Sequence, residues 1–341
     1  MIKTLRYKPL GDEMTTADAE RGRTTIYDVA RAAGVSISTV SLAINRPHKV
    51  NAVTRQAVID AAVRLGYRGQ THVPAGKRIA VAAPFSTYPS YYTRLTGMLA
   101  FSASADVDLV VHDLPSTAGA EAPVLETLPV KAGIDGIIVM GAPLSREATE
   151  TASLPGPPVV LVDVPDSTGV HPDIPVVLID DRRGGDLIGR HLRQQGHRRV
   201  AFVHEAQRSA DYVSAGMLRA EGLSRHVEVV AHKIVNPEEL GIQIASALSD
   251  LEVTAIVANH DQLAADIHAA LAVAPPGRPV ALVGYDGSTT SEILGITSVW
   301  QPFEESGRAA MRLILDLVNG EHAHLGSLTL TPRLIVRQSS A

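Results

Sequence analysis

The sequence predicts two unlike parts in one chain, a small all-α segment near the N-terminus and a large α/β body of doubly wound parallel sheets. Three observations lead there. Residues 21–78 hold ten Lys/Arg against two Asp/Glu, whereas residues 79–341 hold 18 against 30, so a basic segment precedes an acidic body. Within the basic segment, apolar residues recur at helical spacing on both sides of a glycine. Beyond Arg78, short Val/Ile-rich runs alternate with longer amphipathic stretches, the pattern of strands buried on both faces and joined by helices. The chain has 341 residues, 45% of them apolar, enough for two or three domains.

Residues 1–23 show little apolar periodicity and are expected to be a disordered extension. They contain no apolar run of the kind a secretory leader needs. No stretch approaches the roughly 18 apolar residues of a membrane span. The absence of cysteine removes disulfides and thiolate chemistry and suits a reducing, cytoplasmic setting.

The helical segment reads in order. Thr25 caps a first helix whose inner face carries Ile26, Val29, Ala30 and Ala33. Gly34 stands where the chain must turn sharply. Ser36 caps a second helix, with Val40, Ala43 and Ile44 inward and Ile37, Ser38, Ser41 and Leu42 outward. Thr54–Leu65 makes a third helix, buried through Val58, Ala61, Ala62 and Leu65 and ended by Gly66. Two short helices around such a turn form a helix-turn-helix, in which the start of the second helix enters the DNA major groove.

The run Thr25-Ile-Tyr-Asp-Val-Ala30, then Ala33-Gly-Val-Ser36 and Thr39-Val-Ser41, with Asn45, Val50, Thr54-Arg55 and Leu65-Gly-Tyr67, resembles the headpiece of the LacI/GalR family of regulators. The resemblance implies that Ile37, Ser38 and Leu42 read bases, and that Tyr27, Ser36, Thr39, Ser41, Asn45 and Arg55 anchor the DNA backbone or shape the turn. Hydroxyls and amides near a helix N-terminus suit phosphate oxygens, and Arg55 adds charge. Leu42 departs from the family, where arginine is common; leucine can touch only a thymine methyl or exclude water. The hinge, residues 68–78, departs too. Family members carry a short stretch here that folds on DNA and wedges a leucine into the minor groove. This chain has no leucine between Tyr67 and Arg78, and Gly69, Pro74 and Gly76 oppose a helix.

In the body, strands are expected at Ile79–Ala83, Val107–Val111, Gly136–Met140, Val159–Val162, Val176–Ile179, Val200–Val203, Ala255–Ala258, Val280–Val283 and Leu334–Val336. Helices are expected at Tyr91–Ser104, Gly184–Gln195, Tyr212–Gly222, Pro237–Ser249, Asp261–Val273 and Glu304–Val318. The resemblance continues through Ile134-Asp-Gly-Ile-Ile138, Val162-Asp163, Asp180-Asp181, Gly196-His-Arg-Arg-Val200, Asp261-Gln-Leu-Ala264, Gly284-Tyr-Asp286, Gln301-Pro302 and Pro332–Ser339. It implies a two-lobed, periplasmic-binding-protein-like core over residues 79–341, behind a headpiece at 24–67. Lobe 1 would take about 79–175 and 296–325, and lobe 2 about 176–295 and 326–341. An effector would bind between them, beside the carboxyl ends of the strands.

Six residues are candidates for effector contact. Asp163 and Asp261 lie at strand ends and match effector-contacting positions of the family; either could instead cap the element that follows. Tyr88 and Tyr91 follow the first body strand, to line the cleft or pack between lobes. Tyr212 lies beside Val213, where many relatives carry an arginine for sugar hydroxyls or an acidic ligand. Trp300, the one tryptophan, is a cleft wall or a dimer filler.

Enzymatic patterns are weak. The chain has no Walker A loop and no G-x-S-x-G elbow, and Gly184–Gly189 reads as a helix start rather than a dinucleotide loop. His322 and His324 sit in a polar turn, and His191 and His197 flank Gly196 as structural residues; no metal or cofactor is expected. The resemblance therefore implies a non-enzymatic, homodimeric regulator, a repressor by type. It would bind a pseudo-palindromic operator in double-stranded DNA, modulated by a sugar or related polar metabolite, with no membrane partner. The alternative is a ligand-binding protein of the sugar-binding type without regulatory DNA binding. Such a protein would share the core but carry an export signal and no headpiece.

Overall fold

A computed structural model describes residues 24–67, 76–103, 105–114, 133–142, 156–164, 174–205, 213–234, 240–250, 252–321 and 327–341. Residues 1–23 and most of the hinge, 68–75, lie outside it.

The headpiece is three helices, α1 (Ile26–Ala33), α2 (Ile37–Asn45) and α3 (Ala52–Arg64). Thr25 and Asp28 form a capping box at the start of α1, holding backbone donors that the first turn leaves unpaired. Gly34 closes α1 at φ 67°, a left-handed conformation that costs glycine little. The Ser36 hydroxyl accepts from the Thr39 N–H and starts α2. Val29, Val40, Ala43, Val58 and Ala61 fill the space between the helices. Two expectations change. α3 begins two residues before Thr54 because the Asn51 side chain caps it, accepting from the Thr54 N–H. Leu65 is exposed, and Tyr67 takes its place in this small core.

The body holds two six-stranded sheets. The first, in spatial order, is β11 (Leu328–Leu330), β5 (Val176–Ile179), β4 (Val159–Val162), β3 (Gly136–Met140), β1 (Lys77–Ala83) and β2 (Val107–Asp113). The second is β12 (Arg333–Ile335), β10 (Thr297–Trp300), β9 (Ala281–Asp286), β8 (Val253–Ala258), β6 (Arg199–Glu205) and β7 (Glu228–Ile234). Every pairing is parallel except that of β10 with β12. The helices are α4 (Ser90–Ser102), α5 (Asp181–Gln194), α6 (Ala215–Ser224), α7 (Leu240–Ser249), α8 (Asp261–Val273), α9 (Thr289–Ile293) and α10 (Phe303–Val318).

This pairing moves the lobe boundaries. β5 hydrogen-bonds to β4 and β11, so Val176–Ile179 belongs to the first lobe and the chain crosses at Asp180, not after residue 175. β10 pairs with β9 in the second lobe, and α10 then packs in the core of the first. The second crossing is therefore at Gln301–Pro302, not after 295. The third lies at Thr331–Pro332, between β11 and β12, not after 325. All three crossings leave from the carboxyl ends of parallel strands, so the two lobes turn their carboxyl edges toward one cleft.

In each lobe one pair of helices crosses at two glycines. A Cβ on Gly97 of α4 would overlap the Glu304 carbonyl of α10, and one on Gly307 would overlap the Arg94 carbonyl in return. In the second lobe Gly185 of α5 meets the Arg219 carbonyl of α6, and Gly222 meets that of Arg182. This close approach delivers Arg94 and Arg219 to the cleft side of their lobes.

Candidate functional site

The headpiece offers one exposed face. The second helix of the helix-turn-helix, α2, turns Ser38, Ser41, Leu42 and Asn45 outward beside Ser36 and Ile37, while Val40, Ala43 and Ile44 hold it to the bundle. Ile37 is 40% exposed and Leu42 39%, both on the outward side of α2. Tyr27 stands 63% exposed at the start of α1. Thr39 is half-buried and shares a hydrogen bond with Ser36 across the cap, and the Asn45 amide donates to the Ser41 carbonyl at 3.0 Å. Those two fix the turn and the helix end. Arg31, Arg46, Lys49 and Arg64 add exposed positive charge.

Arg55 is a correction. Named as a DNA-binding residue that would anchor the backbone or shape the turn, it is 5% exposed, and its guanidinium donates to the carbonyls of Pro47 and Val50. Those carbonyls belong to the turn between α2 and α3, so Arg55 ties that turn to α3 from inside. A basic residue at helix spacing gave no sign of this, because the acceptors come from another element.

In the cleft, lobe 1 presents Arg94, pressed between the rings of Tyr91 and Phe303 at 5.2 and 4.2 Å and bonded to Asp163. Burial raises the Asp163 carboxyl above its ordinary range although Arg94 opposes this. Asp163 sits at φ 54° directly after β4. Tyr91 is buried with its hydroxyl against Gly141, and Tyr88 packs edge-on to it at 6.2 Å. Both tyrosines thus shape the lobe-1 wall, and Tyr91 is a core residue rather than an exposed contact.

Lobe 2 presents Arg219, bonded through Nε to Asp181 at 2.8 Å, through a terminal nitrogen to Asn259, and stacked 3.8 Å over Tyr285. Burial works against its charge, but Asp181, Tyr285 and Asp286 together hold it protonated. Next to it, His260 bonds Glu205, and Asn259 donates to the other Glu205 oxygen at 3.2 Å. Burial would raise the Glu205 carboxyl, but His260 prevails and holds it at about 2. His260 is pushed up by the same pairing, against its own burial. Asp286, the last residue of β9, is pushed up to about 6 by burial, against the pull of Arg219.

Asp261 is the second correction. It is 1% exposed, and its two oxygens accept from the Ser288 N–H and the Ser298 hydroxyl, each at 2.6 Å. It joins the start of α8 to the loop after β9 and to β10, with both oxygens engaged inside the second lobe and the residue buried. Trp300 ends β10 with the Arg333 guanidinium 4.4 Å over its ring, at the crossover. Tyr212 lies outside the described residues, as do His322 and His324. His191 bonds Ser340 and His197 bonds Thr254, both inside lobe 2. Among the described residues no group of His, Cys, Asp and Glu is placed to hold a metal, and no helix is long and apolar enough to cross a membrane.

Arg94, Arg219, Glu205, His260 and Asp286 went unassigned from sequence. The visible signal for Arg94 was a lone arginine three residues after Tyr91 in a helix that is otherwise uncharged. Asp286 stood in view within Gly284-Tyr-Asp286.

Comparison with known proteins finds the same two parts. The family model for bacterial regulatory proteins, lacI family, matches residues 25–70, and the model for a periplasmic binding protein-like domain matches residues 190–340. The HTH-type transcriptional regulator DegA of Bacillus subtilis is 29% identical over 340 residues, covering 94% of this chain and 98% of that protein. A solved complex of the transcriptional regulator CelR with cellobiose is 26% identical, with a TM-score of 0.63, covering 93% of this chain and all of CelR. The lac repressor dimer bound to operator, 22% identical with a TM-score of 0.64 and covering 93% and 99% of the two chains, shares the fold.

Proposed function

We propose, from the premise that this chain belongs to the lacI family of bacterial regulatory proteins, that two copies bind one pseudo-palindromic operator and repress transcription. The observation that carries this reading is the exposed face of α2, where Ile37, Ser38 and Leu42 stand outward on a capped helix while the rest of the headpiece is packed behind them. Ser36, Ser41 and Asn45 flank that face and suit phosphate oxygens; Tyr27 offers an exposed side chain at the start of α1. Headpieces read half-sites related by two-fold symmetry, so a dimer is the simplest assembly. A small polar effector, a sugar or related metabolite, binds between the lobes and changes their closure, which changes the spacing of the two headpieces. The protein acts in the cytoplasm and catalyses no reaction. Its working units are the headpiece at 24–67, the hinge at 68–78 and the core beyond, divided at Asp180, Gln301–Pro302 and Thr331–Pro332.

Selection of bound fragments from random duplex DNA tests this. An enriched motif with two-fold symmetry, bound with a steep loss of affinity as salt rises, is expected. Enrichment of no motif would leave the ligand-binding core without a regulatory partner and overturn the reading.

Leu42 makes base recognition depend on apolar contact. Leu42→Arg is expected to favour guanine at one position of each half-site, by about 1–3 kcal/mol where the guanidinium pairs with the guanine edge. Affinities across all single-base variants of the selected motif check this. An unchanged preference would mean that Leu42 does not face the groove.

A further inference from the structure

The chain crosses between the lobes three times, and each lobe holds the third crossing to a different neighbour. On the lobe-1 side β11 pairs with β5, Leu330 opposite Ile179, and the Asp180 N–H donates to the Leu330 carbonyl at 2.9 Å. That ties the third crossing to the first. On the lobe-2 side β12 pairs with β10, and the terminal pair in register is Arg333 with Trp300. That ties the third crossing to the second. Trp300 stands directly before Gln301–Pro302 and Arg333 directly after Pro332, so the pair sits where both strands leave the lobe.

The pairing of β10 with β12 is antiparallel, and directly opposed residues of such a pair put their side chains on one face, with Cβ atoms about 4.5–5.5 Å apart. The register therefore lays the Arg333 guanidinium over the indole, 4.4 Å from the ring centre. Tryptophan is the aromatic side chain that attracts a cation most strongly. Arg333 is exposed, and among the described residues no carboxylate pairs with it to compete for the charge. Gly287, in the loop after β9, presses on Trp300 as well: a Cβ there would overlap it from Cα to Cδ1. Trp300 is thus held from two other segments of lobe 2.

Proline stiffens both of these crossings. Pro302 and Pro332 have their own φ fixed, and each restricts the residue before it, Gln301 and Thr331, to extended backbone. Asp180 precedes Asp181 and carries no such restraint. Two stiff straps fastened at one end bend together; unfastened, they bend separately.

We propose that Trp300 and Arg333 are positioning residues for lobe closure. Their stack fastens the second and third crossings into one strap, so that the lobes rotate about a single axis through that strap and Asp180. Trp300 then acts through the crossings, not as a cleft wall or a dimer filler. The consequence for DNA rests on the reading that closure carries the effector signal to the headpieces; the clamp itself is measured without effector or operator.

The chain has no cysteine, so one spin label can be placed in each lobe of the full-length protein, at Asp108→Cys and Arg198→Cys. Asp108 lies near the start of β2 and Arg198 just before β6, both exposed and both at the amino ends of their strands, away from the cleft. Dilution with unlabelled chain leaves one labelled subunit per assembly, and double electron–electron resonance reads the spread of interlobe distances. Arg333→Ala and Trp300→Leu should broaden that spread. Trp300→Phe, which keeps a ring face for the guanidinium, should stay close to wild type. Arg333→Ala should keep the wild-type urea midpoint, as surface substitutions usually do. Emission from the one tryptophan gives a second readout without labels: in Arg333→Ala it should move to longer wavelength and become easier to quench with acrylamide. A spread as narrow in Arg333→Ala as in wild type would overturn the proposal. Equal broadening in Trp300→Phe and Trp300→Leu would do the same, because side-chain volume and not the ring face would then hold the strap. So would broadening that comes with a fallen urea midpoint, since the pair would then be holding the sheet and not the crossings. Failure of motif selection would strike the regulatory reading and leave these distances as they are.

Discussion

Arg219→Ala is expected to lower the free energy of unfolding by about 3–5 kcal/mol, the usual consequence of removing one member of a buried ion pair. Arg219 and Asp181 are both nearly inaccessible, with side chains 11% and 9% exposed. The guanidinium has three tasks at once. It neutralises Asp181, donates to the Asn259 carbonyl at the end of β8, and covers the face of Tyr285. Alanine does none of these and leaves Asp181 charged in a dry site beside a tyrosine. Adding Asp181→Asn to Arg219→Ala should recover part of the loss, because the uncompensated charge is then gone. Equilibrium denaturation in urea at neutral pH measures both. A loss under about 1 kcal/mol for Arg219→Ala would show that water reaches Asp181, as it does at exposed pairs.

The headpiece was legible because its signals are local. Thr25, Gly34 and Ser36 act on backbone within four residues, and the inner faces of α1 and α2 follow from helical spacing alone. Continuous apolar strands such as Gly136–Met140 and Val159–Val162 were equally plain. β10 was legible only as a strand-like run before Trp300, because Thr297 and Ser298 look like a surface run. Both are fully buried, their hydroxyls bonded to the Arg337 carbonyl and to Asp261, partners 37 or more residues away. β11 is three residues long and mostly exposed, and only its register against β5 makes it a strand. Missing those two strands displaced two of the lobe boundaries. The site shows the same division. Sequence marked two carboxylates at strand ends, Asp163 and Asp261, from a local property. Whether an oxygen is free depends on Ser288, Ser298 and Gln301, which reach the cleft from three other places in the chain.

The glycine crossings set a second large effect. Gly307→Val is expected to cost about 3 kcal/mol, at the upper end of what overpacking does. The atom that a Cβ at 307 would meet is the Arg94 carbonyl oxygen, part of helical backbone that cannot rotate aside as a side chain would. Relief requires α4 and α10 to separate, which also opens the contact between Gly97 and Glu304 on the opposite side of the crossing. Because Arg94 is the residue at the contact, separation also draws its guanidinium away from Asp163 and Phe303. Stability and cleft geometry should therefore fall together, with a lower urea midpoint and weaker effector binding in whatever fraction remains folded. Gly241→Ala is the internal control. Gly241 lies in α7 with nothing within 4 Å of a Cβ, so alanine there should stabilise by up to about 1 kcal/mol through helix propensity alone. Opposite signs at 307 and 241 are the expected result. A Gly307→Val protein as stable as wild type would mean that the two helices slide apart freely and that the crossing does not position Arg94.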